Sequence, residues 1–118
     1  MDTSISHVAR SISKKEAESK EYITIVNCTS KLNIALRSDD EIVHFLDREG
    51  FIKHKIYNRI KDPISLLSDD DKAGLLVTGI KDKVELNPKN YHTFVDYLRQ
   101  NRRMYRDIVD ILDDEYYT

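Results

Sequence analysis

The sequence predicts an all-α fold, an antiparallel bundle of six helices, from three signals that each mark the start of a helix. Ser38-Asp39-Asp40-Glu41 and Ser68-Asp69-Asp70-Asp71 each place a serine where a helix begins and a carboxylate three residues later. Asn87-Pro88 combines a good capping residue with proline at the first helical position. Apolar residues at three- and four-residue steps follow each signal, so the periodicity is helical.

The composition fits a single bundle of this kind. A chain of 118 residues is long enough for one domain with one core. Its three glycines and two prolines are too few for a loop-rich β fold. The formal net charge of −2 gives no bulk basicity that would indicate nucleic acid binding, and no strongly acidic tail. Any electrostatic function therefore depends on local patches of charge.

The sequence also indicates the compartment. Cys28 is the single cysteine, which excludes an internal disulfide and a cysteine-based zinc site. We expect it to be a reduced thiol in a helix core. The first residues lack the basic start and apolar run of a secretory signal, and no stretch approaches the roughly 20 apolar residues of a membrane span. We therefore expect a cytoplasmic protein without a membrane span.

The first half of the chain is predicted to contain a polar extension and three helices. The extension is residues 1–20, with an alternative in which a capping box at Ser13 starts the first helix at residue 14. The first helix is expected to be long and to end near Arg37. The second runs from the Ser38 cap to Gly50, where glycine adopts the left-handed conformation that terminates a helix. The third opens at residue 51 or 52 and ends at Asp62-Pro63.

The second half is predicted to contain the other three helices. The fourth starts at Ser68, and its Gly74 and Gly79 indicate close approach by a neighbouring helix. The fifth starts at Pro88, and a short link of residues 99–103 leads to the sixth. The acidic residues 113–115 oppose the helix dipole, so we expect this end to fray. The bundle would occupy residues 21–115, followed by a tail of residues 116–118.

In this register the chain resembles a caspase recruitment domain (CARD), a branch of the six-helix death-fold superfamily with its Greek-key arrangement. Three stretches carry the resemblance and together span roughly residues 21–115. They are Phe45-Leu46-Asp47-Arg48-Glu49-Gly50-Phe51-Ile52 with Ile56, Tyr57 and Ile60; Asp71-Lys72-Ala73-Gly74-Leu75-Leu76; and Tyr91, Phe94, Val95 and Leu98 with Ile108 and Leu112.

The resemblance implies a non-enzymatic module that binds itself or other CARD-containing proteins, often as helical filaments in apoptotic or innate-immune signalling. Such contacts join oppositely charged faces, one on the first and fourth helices and the other on the second and third. The basic side chains of the third helix depart from the usual acidic face. The expected partner-binding residues are Lys31, Arg37, Asp47, Glu49, Lys53, Lys55, Arg59, Lys72 and Lys81.

Two alternatives stay open. Four arginines at 99, 102, 103 and 106 surround Tyr105, a pattern that fits a small helical nucleic-acid-binding domain. The second alternative is a helical bundle that only dimerises, through an apolar face. No nucleophile motif, phosphate-binding glycine loop or metal-ligand spacing is present, so we predict no enzyme activity, catalytic residue, metal, cofactor or small-molecule substrate.

Overall fold

The computed structural model describes residues 18–37 and 39–118, and in these ranges the chain forms helices and no strand. The all-α prediction is confirmed. Residues 1–17, including the alternative helix start at Ser13, and the predicted cap Ser38 lie outside the described residues. The described helices are α1 (Lys20–Asn27), α2 (Thr29–Ala35), α3 (Asp40–Arg48), α4 (His54–Lys61), α5 (Asp69–Leu86), α6 (Lys89–Gln100) and α7 (Arg102–Tyr116).

The long helix α5 organises the bundle. It packs against α1, α2, α3 and α6, while α7 packs against α1, α2 and α6. The core is one cluster to which every helix contributes, and its fully buried members include Ile25, Leu32, Phe94 and Leu112. Helix α4 is the most peripheral, since it packs mainly on α3 and buries only Ile60. Its exposed residues are His54, Lys55, Asn58 and Arg59.

The prediction of one long first helix is wrong, because the helix breaks at Cys28. The backbone there has φ −99° and ψ 9°, which separates α1 from α2. The hydroxyl of Thr24 donates to the Lys20 carbonyl at 2.8 Å, and that of Thr29 donates to the Ile25 carbonyl at 3.1 Å. Such back-bonding by threonine bends helices. Cys28 itself is buried, as expected, and burial raises the pKa of its thiol.

The start of α3 differs from the prediction by one residue, and its end agrees. The cap is Asp39, whose carboxylate accepts from the Ile42 amide at 3.1 Å. At the other end Gly50 has φ +77°, the left-handed conformation predicted for it. The Gly50 amide donates to the Asp47 carbonyl, and the Phe51 amide donates to the Leu46 carbonyl at 2.8 Å. These two bonds form a Schellman motif, which ends the helix.

Residues 51 and 52 do not open the next helix, because they are buried beside α5. Gly79 of α5 lies against them: a Cβ added there would be 2.6 Å from the Phe51 carbonyl oxygen and 2.7 Å from Ile52 Cγ2. The expectation of close approach is thus correct at Gly79, although a loop makes the contact. It is wrong at Gly74, where an added Cβ would meet nothing within 4 Å.

The ends of the remaining helices follow the local signals more closely. Helix α4 ends before Asp62-Pro63, and Ser68 forms the predicted capping box with Asp71 at the start of α5. Helix α6 begins at Lys89, one residue after the predicted start at Pro88, and the Asn87 side chain accepts from the Lys89 amide at 3.1 Å. The expected link of residues 99–103 is shorter, since only Asn101 separates α6 from α7. Helix α7 continues to Tyr116 instead of ending at the acidic residues.

Candidate interaction surfaces

The first candidate surface is the exposed side of α4 together with the residue that precedes the helix. We call it the cationic surface and define it by Lys53, Lys55 and Arg59. All three side chains are exposed, and none makes an ion pair with the residues that the structure describes. Arg59 lies in the last turn, where the helix dipole favours a cation. Lys53 and Lys55 lie at the first turn, where the same dipole opposes a positive charge. Helix stability therefore does not explain these two lysines.

A groove between the cationic surface and α5 extends this patch. Its volume is about 530 Å³, and Lys53 and Lys55 border it together with Lys83. The apolar part of its lining includes Ile56 and Leu86, and Leu86 is 83% exposed. Sequence reasoning missed Lys83, because the fold of residues 50–53 against α5 is what brings it to these lysines.

The predicted acidic residues at the end of α3 are already engaged by neighbours. Asp47 lies half-buried with its carboxylate 3.1 Å from His54 Nδ1, and Glu49 lies 3.4 Å from Arg48 Nε. Asp40 and Lys61 form a further pair at 3.8 Å between α3 and α4. The α3 and α4 helices therefore neutralise part of their own charge, and the net excess that remains on α4 is positive.

The other predicted residues do not form one basic face. Arg37 pairs with Asp70 at 3.2 Å, which ties the end of α2 to the start of α5. Lys72 and Lys81 are half-buried on α5. Lys31 lies on α2 and lines a groove between α2 and α7.

The arginine cluster near residue 101 divides into two pairs with different environments. Arg99 makes a bidentate ion pair with Asp113 at 2.6 and 2.9 Å, and this hydrogen bonding raises the pKa of the guanidinium. Arg102 lies 3.9 Å from Asp110. Arg103 and Arg106 are exposed and make no ion pair with any described residue. Only half of the cluster is therefore free for a nucleic acid phosphate.

Arg103 and Arg106 instead border a second groove, which we call the α2–α7 groove. It has a volume of about 440 Å³, and Lys31 lies on its rim from the α2 side. Ile34 and Met104 line it, and they are 62% and 58% exposed. Large apolar side chains that stay in contact with solvent at one place are typical of a binding surface. The sequence gives a weak signal for this site, because Ile34 lies outside the apolar stripe of its helix.

A third exposed apolar feature is the loop between α4 and α5, residues 62–68. Ile64 and Leu66 are 83% and 101% exposed. The loop is ordered by its own hydrogen bonds: the Asp62 carboxylate accepts from the Ile64 amide at 3.0 Å, and the Ser65 hydroxyl accepts from the Leu67 amide at 3.2 Å. The turns therefore hold two aliphatic side chains outward instead of letting them collapse onto the bundle.

Helix α7 is fixed by a set of polar contacts that differs from these surfaces. We call it the α7 contacts and define it by the ion pair Arg99–Asp113 and the hydrogen bonds Tyr105–Asp39, Tyr116–Glu21 and Asn27–Glu115. Asp113 pairs with Arg99, and Glu115 accepts a hydrogen bond from Asn27. These contacts offset the unfavourable position of the two carboxylates at the negative end of the helix dipole. This explains why α7 does not end at residue 112.

Two of the α7 contacts are partly buried hydrogen bonds. The Tyr105 hydroxyl donates to Asp39 at 2.6 Å, and burial together with this bond raises the tyrosine pKa. The Tyr116 hydroxyl donates to Glu21 at 2.9 Å, and this bond raises the pKa of Tyr116. Burial raises the pKa of Glu21, but hydrogen bonds from the backbone, His92 and Tyr116 outweigh burial and lower it overall. Because these groups use one another as partners, they are structural.

Comparisons with known proteins add no relative. No protein-family model, curated protein or solved structure matches this chain. Within residues 18–37 and 39–118, no three side chains of His, Cys, Asp and Glu are grouped as metal ligands. None of the helices in the same ranges is long and apolar enough to cross a membrane.

Proposed function

We propose that this chain is a CARD-like, non-enzymatic interaction module of the cytoplasm. In this proposal it acts as an adaptor or regulator in apoptotic or innate-immune signalling, by contact with copies of itself or with other domains of the same kind. The helix count supports the proposal. If α1 and α2 are taken as one helix broken at Cys28, and α7 as one helix kinked at Tyr105, the described helices number six.

The observation that carries the proposal is the position of Lys53 and Lys55. Two exposed cations at the first turn of a peripheral helix, which make no ion pair with a described residue, destabilise that helix slightly. Exposed ion pairs contribute only about 0–1 kcal/mol each, so satisfying these lysines within the fold would gain little stability. Charge displayed in this way is useful for steering a partner of opposite sign and for rejecting others.

An acidic patch on the same bundle supports a homotypic contact. Asp82 and Glu85 lie near the end of α5, which packs against α1, and Glu18 lies just before α1. Burial raises the pKa of Tyr22 on α1, and these carboxylates raise it further. All three acidic residues are exposed, and Asp82 also borders the groove beside the cationic surface. A body with a cationic and an acidic patch can add copies head to tail, and such a contact gives an open helical filament when its rotation does not close into a ring.

The test compares assembly of the wild type and Lys55→Glu by size-exclusion chromatography with light scattering over a range of protein concentrations, followed by negative-stain microscopy. We expect concentration-dependent filaments from the wild type and monomers from the variant. Lys89→Glu is the matched control, because it makes the same charge change at an exposed position on α6 and should leave assembly intact.

Two results would contradict this proposal for self-assembly. One is equal loss of assembly in Lys55→Glu and Lys89→Glu, which would indicate a general effect of net charge. The other is a wild-type protein that stays monomeric at every concentration, after which the same variants would be tested for binding to other CARD-containing proteins.

A further inference from the structure

We infer that the loop of residues 62–68 of one copy docks into the α2–α7 groove of a second copy. This inference rests on the proposed homotypic assembly and specifies one of its contacts. It depends on three properties that the two surfaces have in complementary form: shape, exposed apolar side chains and charge.

Shape and apolarity are complementary first. The loop projects Ile64 and Leu66 on turns closed by its own hydrogen bonds, and the groove is a depression of about 440 Å³. The fold leaves Ile34 and Met104 in the groove exposed to solvent, as it does the two loop side chains, and all four are more than half exposed. Burying them against each other removes apolar surface from water on both partners, which favours the contact.

Charge is complementary as well. Between residues 62 and 71 the chain carries four aspartates and no lysine or arginine. The groove rim carries Lys31, Arg103 and Arg106 against the single carboxylate of Asp107. Asp70 is already paired with Arg37. Asp62 and Asp71 accept hydrogen bonds from backbone amides, which leave their negative charge in place, so these two carboxylates supply the steering charge. An acidic apolar projection and a basic apolar depression attract each other and disfavour pairing of like with like.

The experiment traps the contact with a disulfide between two single-cysteine additions of different mass. One protein carries Leu66→Cys, and the other, which bears a mass tag, carries Met104→Cys. Leu66 and Met104 are exposed, so both variants should fold, and the native Cys28 is buried. Under mild oxidation we expect a crosslink between the two proteins that forms several-fold faster than with the matched control Leu86→Cys, which is exposed in the groove beside the cationic surface.

Equal or faster crosslinking of Leu66→Cys to Leu86→Cys would overturn the inference and direct the loop to the other groove. A second measurement separates this inference from the proposed function. If the wild type assembles and Lys55→Glu abolishes assembly, but Leu66→Asp and Met104→Glu assemble as the wild type does, the docking contact is wrong and the proposed function stands. A wild type that is monomeric at every concentration would also overturn the inference, because no second copy would occupy the groove.

Discussion

The α7 contacts and the cationic surface of α4 are built from similar side chains but use them in opposite ways. In the α7 contacts, Arg99 meets Asp113 and Glu21 meets Tyr116, so each polar group has a partner within the fold. On α4, Lys53 and Lys55 are exposed at the end of the helix where a cation is disfavoured. The same residue types are therefore structural in one region and free to recognise a partner in the other.

This difference shows that the role of a charged residue depends on whether the fold gives it a partner, which a cluster of charges in the sequence does not reveal. Arg99 and Arg106 lie seven positions apart and look equivalent in the sequence. The fold gives Arg99 a bidentate carboxylate and leaves Arg106 on the rim of the α2–α7 groove. Four comparisons test this division between polar and charged groups that the fold pairs and those that it leaves exposed.

The largest effect is expected from Asp39→Ala, which removes two contacts at once. Asp39 caps α3 through the Ile42 amide and accepts the buried Tyr105 hydroxyl through its other oxygen. Loss of the cap and of the partner of a buried donor should together lower the free energy of unfolding by about 2–4 kcal/mol. Urea denaturation measures it. Asp39→Asn keeps one acceptor for the cap, so its stability should fall between those of the wild type and Asp39→Ala. Equal stability of all three proteins would contradict this double role of Asp39.

The second largest effect on stability is expected from alanine substitutions at the two glycines inside α5, one of which is enclosed by neighbours while the other is open. Gly79→Ala places a Cβ 2.6 Å from the Phe51 carbonyl oxygen, so the loop must shift, and we expect a loss of about 1–3 kcal/mol. Gly74→Ala meets nothing within 4 Å and should gain about 0.5–1 kcal/mol from helix propensity. Thermal melts of the two variants should move in opposite directions, and a shared sign would refute the comparison.

The third effect is a loss of stability at alkaline pH. The pKa values of Tyr91 and Tyr105 are raised in the folded state, by burial first, so the folded protein holds their protons after the unfolded chain has released them. Stability should therefore be retained below about pH 10 and fall above it, by about 1.4 kcal/mol per pH unit for each group. Tyr105→Phe should show a shallower fall, and an unchanged slope in urea denaturation from pH 9 to 11 would count against this origin.

The smallest effects come from a matched pair of arginine variants. Arg99→Ala breaks a bidentate ion pair of partly exposed groups and should lower the unfolding free energy by about 1 kcal/mol. Arg106→Ala should change it by less than about 0.5 kcal/mol, because Arg106 has no ion-pair partner among the described residues. Differential scanning fluorimetry of both variants makes the comparison, which fails if Arg106→Ala is the more damaging.

The features that the sequence predicted correctly depend on short-range chemistry. The capping box of Ser68 and Asp71, the left-handed Gly50 and the Asn87-Pro88 start each involve residues within a few positions of one another. What the sequence did not predict depends on distant residues. Asp39 replaces Ser38 as the cap while it also binds Tyr105, and Phe51 stays in a loop because it lies on Gly79.

The candidate surfaces show the same limit. Lys53 and Lys55 were predicted from the sequence as partner-binding residues. The position of Lys83 beside them, and that of Lys31 in the groove with α7, became evident only from the fold. Ile34 gave only a weak signal, because it lies outside the apolar stripe of its helix. The full exposure of Leu66 and the position of Met104 in the α2–α7 groove became evident only from the fold.

The α7 contacts also have a consequence for how the chain folds as it is made. The hydrogen bonds Tyr105–Asp39, Asn27–Glu115 and Tyr116–Glu21 join residues that are 66, 88 and 95 positions apart. Contacts of such long sequence separation form late, because the intervening chain must close first. During synthesis α1 and the first turn of α3 therefore wait for their polar partners until α7 has left the ribosome. The three long-range hydrogen bonds to α7 are therefore among the last contacts of the bundle to form.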